Sequence, residues 1–170
     1  MKLIFLPGVL ALGLIAVTSG IAKDKTMSGM DNTFAVKAAQ GGEAEVELGR
    51  LAVKNSSNPD VKAFGQRMVD DHSTAGKDLK DIASKDSISL PGGMNAKDQA
   101  TYNRLSKLTG ADFDRAYMKD MVADHKEDIA EFRKEANSGS NDDLKSFAAK
   151  TLPTLEDHLR VAQKTEAKVK

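Results

Sequence analysis

Asn58-Pro59-Asp60-Val61-Lys62-Ala63-Phe64-Gly65-Gln66-Arg67-Met68-Val69-Asp70-Asp71-His72 opens on a helix cap, continues as an apolar stripe and ends on a histidine of that stripe. Asn58 offers a side-chain acceptor to the free amides of a first turn, and proline fits the next position because its missing N–H would have no partner there. Val61, Phe64, Met68, Ala75, Leu79 and Ile82 recur every three or four residues, which predicts a helix over about 59–85. Upstream, the breaker Asn55-Ser56-Ser57-Asn58 closes a helix that can start on Asp31 as its N-cap and carries Phe34, Ala38, Leu48 and Ala52. Downstream, Pro91-Gly92-Gly93 marks a loop over residues 87–95, and a short polar helix follows over about 96–108.

Two further stripes complete the pattern. Thr109 and Asp112 form a capping-box-like start for Phe113, Tyr117, Met121, Ile129 and Phe132, ending near Ala136. Ser140 and Asp143 repeat that start for Leu144, Phe147, Thr151, Leu155 and Ala162. Pro153 lacks an N–H and crowds the carbonyl of Ala149, so this last helix is expected to kink or split near Leu152. Four amphipathic helices can bury their stripes only against one another, so the expected fold is all-α, a four-helix bundle over residues 31–170. Short links join the first pair and the last pair. The crossover between them, about 23 residues with a short extra helix, can span the bundle, giving the order up-down-down-up.

The chain's start and composition bound its setting. Lys2, the apolar run Leu3–Val17 and Gly20-Ile21-Ala22 read as a signal peptide over residues 1–22, followed by a flexible tail at 23–30. The apolar run is short, contains Pro7 and has no successor, so no membrane span is expected, and the mature chain should be periplasmic or otherwise exported. The sequence contains no cysteine, which excludes disulfides and thiolate metal sites. Lys and Arg total 25 and Asp and Glu total 25, interspersed, so nothing points to a nucleic-acid partner.

The three histidines, His72, His125 and His158, each fall near the middle of a different long helix. Mid-helix positions share one level of a bundle whichever way a helix runs. His72 lies four residues after Met68, His125 four after Met121 and His158 three after Leu155, so all three point inward. On the first helix Glu45 lies within about 20° of Phe34, Ala38 and Ala52, whereas Glu43 and Glu47 lie about 160° away and face solvent. A buried carboxylate beside imidazoles is costly unless paired or bound to a cation. Glu45, His72, His125 and His158 are therefore candidate metal ligands. Three nitrogens and an oxygen suit zinc, and imidazole-rich sites suit copper, with iron a further candidate. The alternative is a metal-free polar layer that fixes helix register.

An aspartate precedes each histidine, as Asp71, Asp124 and Asp157, either to orient a neighbouring imidazole or as a solvated flank. Met68 and Met121 recur four residues before their histidines. Thioether ligands there would favour copper(I), and core filling is the plainer role. Gly41, Gly42 and Gly49 suggest close helix approach near Glu45.

Ala38-Ala39-Gln40-Gly41-Gly42, Ala44 to Gly49, Met68 to His72, Gly110 to Tyr117, Asp124-His125 and Leu152-Pro153 to His158-Leu159 together resemble a bacterial family of exported ferritin-like proteins, often labelled predicted outer-membrane proteins. The resemblance implies a ferritin-like bundle in the cell envelope and no assigned activity. Di-iron ferritin-like oxidases carry Glu-x-x-His pairs, whereas Val69, Val122 and Leu155 stand three residues before these histidines, so a single-ion site is expected. The function expected is storage, buffering or sensing of zinc or copper. The alternatives are a metal-free structural or partner-binding stress protein and a metal-dependent oxidase-like enzyme.

Overall fold

The computed structural model describes residues 28–170, so the expected signal peptide and residues 23–27 of the tail lie outside the described residues. Five α-helices follow one another, α1 (Gly29–Asn55), α2 (Pro59–Lys85), α3 (Ala96–Leu105), α4 (Gly110–Ser138) and α5 (Asp142–Val169), with no strand among the described residues.

The caps show where local pattern decides and where it does not. Asn58 Oδ1 accepts from the amides of Asp60 at 2.8 Å and Val61 at 3.4 Å, as the cap-proline pair predicts. At α1 the cap is Ser28 rather than Asp31. Ser28 Oγ accepts the Asp31 amide at 3.1 Å while Asp31 Oδ2 accepts the Ser28 amide at 2.9 Å. Asp31 Oδ1 also takes the amide of Ser140 at 2.8 Å, a tie across 109 residues that no local spacing reports. Asn141, not Ser140, caps α5 by accepting from Asp143 and Leu144 at 3.0 Å each. Thr109 makes no side-chain cap bond to α4, and Asp112 pairs with Arg115 instead. Pro153 neither ends nor splits α5, which stays helical from 142 to 169. Ala149 and Pro153 are both exposed, so the carbonyl left without a donor can turn to water.

Around the helical bundle α1 packs on α2 and α4 on α5, while α1 also meets α4 and α2 meets α5, leaving α1 and α5 diagonal. One apolar cluster gathers Leu51, Phe64, Phe113, Tyr117 and Ala162; a second gathers Phe34, Leu79, Phe132, Leu144 and Leu155. The second draws on the starts of α1 and α5 and the later turns of α2 and α4. Each histidine falls in sequence between members of the two clusters, which places the polar layer between two apolar ones.

The end of α4 carries a pH-sensitive contact. Glu135 is 1% exposed, no donor reaches either of its carboxyl oxygens, and burial together with the neighbouring Asp31 carboxylate pushes its pKa up to about 7. The folded protein therefore holds a proton that the unfolded chain releases near the usual glutamate value, so stability falls as pH rises from about 4.5 to about 7. Glu135→Gln keeps a donor toward Asp31 without the charge. Its melting temperature should exceed that of the parent at pH 8 and match it near pH 4.5; equal gaps at both pH values would contradict this assignment.

Candidate metal centre

His125 and His158 are fully buried, and His72 is 8% exposed. One ring nitrogen from each lies within 4.8 Å of the other two, and the ring centroids stand 5.3 to 5.9 Å apart. The stripes of α2, α4 and α5 turn them inward, and Phe64 packs against the rings of His125 and His158 at 6.3 and 6.4 Å.

Their partners fix which nitrogens carry hydrogen. His125 Nδ1 stands 3.0 Å from the carbonyl oxygen of Met121, which can only accept, so Nδ1 donates and Nε2 keeps its lone pair. His158 Nε2 stands 2.8 Å from Asp71 Oδ2, a carboxylate oxygen, so Nε2 donates and Nδ1 keeps its lone pair. Burial, with His158 nearby, holds the His125 pKa down at about 4, and burial lowers those of His72 and His158. At neutral pH, then, His125 Nε2 and His158 Nδ1 face each other with two lone pairs across 3.3 Å. That contact is repulsive unless something electron-poor lies between them. His72 Nε2 is buried with no hydrogen-bond partner.

The geometry suits an ion. Two nitrogens each about 2.0–2.1 Å from a tetrahedral zinc stand about 3.3–3.4 Å apart, close to the separation of His125 Nε2 and His158 Nδ1. His72 brings a third ring nitrogen within 4.8 Å of both. A recess of about 180 Å³ lined by Asp71, His72, Thr151 and His158 adjoins the trio and gives it a path to solvent.

Glu45 is buried as its spacing predicts, but it does not join the ring of nitrogens. Its Oε1 lies 3.5 Å from His125 Nδ1, on the side of the imidazole opposite His158. The reason is lateral: α1 packs on α4 and is diagonal to α5, so an inward residue on α1 meets the flank of α4. Periodicity reports that a side chain is inside, not which neighbour it meets. Glu45 groups instead with Asp124 and Asp128 of α4.

The three aspartates beside the histidines divide in role. Asp71 orients His158 on the neighbouring helix. Asp157 accepts from Arg67 Nη1 at 2.6 Å, and Arg67 Nε reaches Asp71 at 3.1 Å, so the guanidinium braces the Asp71 carboxylate from outside. The sequence pattern carries no sign of this arginine, because its partners lie four residues along the same helix and on another one. Met68 and Met121 lie in the apolar cluster with Phe64 and Tyr117. Of Gly41, Gly42 and Gly49, the first two face open space and Gly49 alone meets another helix, at Gly65 of α2.

A sequence profile described as a domain of unknown function, DUF4142, matches residues 16–165. The chain belongs to the DUF4142 family. No curated protein matches this DUF4142 chain. Among solved structures it is similar to a crystal structure of a DUF305 fragment from Deinococcus radiodurans, with a TM-score of 0.73 and 11% identity over 84% of this chain and 98% of that one. At that identity the likeness bears on the fold alone. Neither finding carries the ferritin-like or outer-membrane label that the sequence resemblance brought with it.

Proposed function

We propose that this DUF4142 protein is an exported envelope protein, a ferritin-like up-down-down-up bundle, that binds one exchangeable zinc or copper ion through His72, His125 and His158. The observation that carries the reading is the 3.3 Å approach of His125 Nε2 to His158 Nδ1 in a buried site, each ring's other nitrogen being held by an acceptor. Asp71 acts on the ion through His158, the arrangement by which a carboxylate fixes a ligating imidazole's tautomer and raises its basicity, while the Met121 carbonyl holds the His125 ring. Three nitrogens and no carboxylate in the ring favour zinc or copper over iron. The recess beside His72 and His158 supports exchange, hence buffering or sensing, over a permanently closed structural site.

The test is elemental analysis of the untagged full chain followed by zinc and copper titration after chelation. About one equivalent per chain is expected for whichever ion fits, and no binding by either would end this reading. The same recess leaves room for a fourth, non-protein ligand, which favours a metal-dependent enzyme as the second reading. A water or small anion exchanging on the bound ion, detected with cobalt(II) as a spectroscopic substitute, separates the two.

A further inference from the structure

On the far side of His125 lies a second group of ligand atoms. Glu45 of α1 and Asp124 and Asp128 of α4 each place a carboxylate oxygen within 4.8 Å of the others. Asp124 and Asp128 are four residues apart and so share a face of α4. Glu45 is fully buried, and no hydrogen-bond donor reaches either of its oxygens, although both are shut off from water. Acidic clusters on protein surfaces are common and mean little. A carboxylate with zero exposure, no donor from outside the cluster and two further carboxylates around it is different, because it must hold either a proton shared with Asp124 or a cation.

The surroundings sharpen this. Among the described residues no lysine or arginine ion-pairs with any of the three, and Lys97, which influences Asp124 from α3, is itself held by Glu127 at 2.9 Å. Asp98 of α3 adds a fourth carboxylate close enough to feel Asp124. The spacing fits a cation: oxygens on opposite sides of a calcium ion, each about 2.3–2.6 Å from it, can stand about 4.6–5.2 Å apart. His125 offers this group no lone pair, since the nitrogen it turns this way carries the hydrogen given to Met121. The ligands are thus oxygens only, which select hard ions as firmly as the imidazoles select zinc or copper.

We propose that Glu45, Asp124 and Asp128 form a second cation site, separate from the histidine trio, for a hard divalent ion of the calcium or manganese type. The ion neutralises the buried Glu45 and clamps α1 to α4. It does not depend on the histidine site being a metal centre, because it shares no ligand with it.

The experiment is titration of the chelator-stripped full chain with manganese(II), read by electron paramagnetic resonance, with calcium as competitor, before and after saturation with zinc. Zinc should leave manganese binding in place and calcium should displace it. Glu45→Gln and Asp128→Asn, each first shown by circular dichroism to keep the parent's helical content, should weaken manganese binding at least about tenfold, whereas His158→Ala should change it by less than about twofold. Three results would overturn the proposal: no manganese or calcium binding at millimolar concentration, binding unaltered in Glu45→Gln, or binding lost in His158→Ala. In the first case a higher melting temperature for Glu45→Gln in chelator would show that the cluster holds a shared proton instead.

Discussion

His125→Ala should abolish high-affinity zinc or copper binding and with it the stabilisation the ion confers. At an ion concentration 100 to 1,000 times Kd the native state gains about 2.7–4.1 kcal/mol. For a domain of this size each kcal/mol moves Tm by about 2–4 °C. The parent protein should therefore melt about 5–15 °C higher with the ion than in chelator, while His125→Ala should melt at one temperature in both. The variant also removes one of the two opposed lone pairs, so its Tm in chelator should lie closer to the ion-free parent's than loss of a buried side chain would suggest. Asp71→Asn tests the orienting carboxylate. The His158 Nε2–H keeps an acceptor but loses the charge that raises the ring's basicity, so affinity should fall about 10–100-fold without vanishing. Differential scanning fluorimetry with and without ion reads all three proteins. A parent Tm that chelator leaves unchanged would favour the metal-free polar layer.

These expectations trace to features of unequal legibility in the sequence. The α2 boundaries could be read because Asn58-Pro59 is a strong local stop-and-start and the stripe that follows it is regular. The inward turn of the three histidines and Glu45 followed from the same periodicity, since a helical repeat of about 100° per residue accumulates little error over one or two turns. What periodicity lacks is the identity of the neighbour. It could not place Glu45 against the α4 flank beside Asp124 and Asp128, because that depends on α1 being diagonal to α5. It could not find Arg67, whose role as a brace exists only once α2 and α5 are side by side. The caps of α1 and α5 shifted for a similar reason: Ser28 and Asn141 satisfy the first-turn amides, while Asp31 is engaged by Ser140 from the other end of the chain. Asp124 illustrates the limit best. Its place before a histidine marks it in the sequence, yet its partner is a carboxylate on α1 rather than an imidazole.

The contact between α1 and α2 makes the sharpest stability prediction, because one substitution should have opposite signs at sites 8 to 24 positions apart in sequence. A Cβ on Gly49 would stand 2.5 Å from the carbonyl oxygen of Gly65, and a Cβ on Gly65 would stand 2.7 Å from Ala52 Cβ and 2.8 Å from the Gly49 carbonyl oxygen. Those neighbours are backbone or backbone-fixed, so they cannot swing aside and the helices must separate. Overpacking of this kind costs about 1–3 kcal/mol, against which alanine recovers about 1 kcal/mol of helix propensity over glycine. Gly65→Leu has no such margin and should lose at least about 3 kcal/mol. Gly41 meets nothing within 4 Å, so Gly41→Ala keeps the propensity gain and should stabilise by about 0.5–1 kcal/mol. Urea unfolding of Gly41→Ala, Gly49→Ala, Gly65→Ala and Gly65→Leu measures the series. The spacing of α1 from α2 also sets where Glu45 and His72 meet α4, so Gly65→Leu should weaken zinc or copper binding although it touches no ligand. Retained stability and affinity in Gly65→Leu would mean that α1 and α2 are not held at this distance.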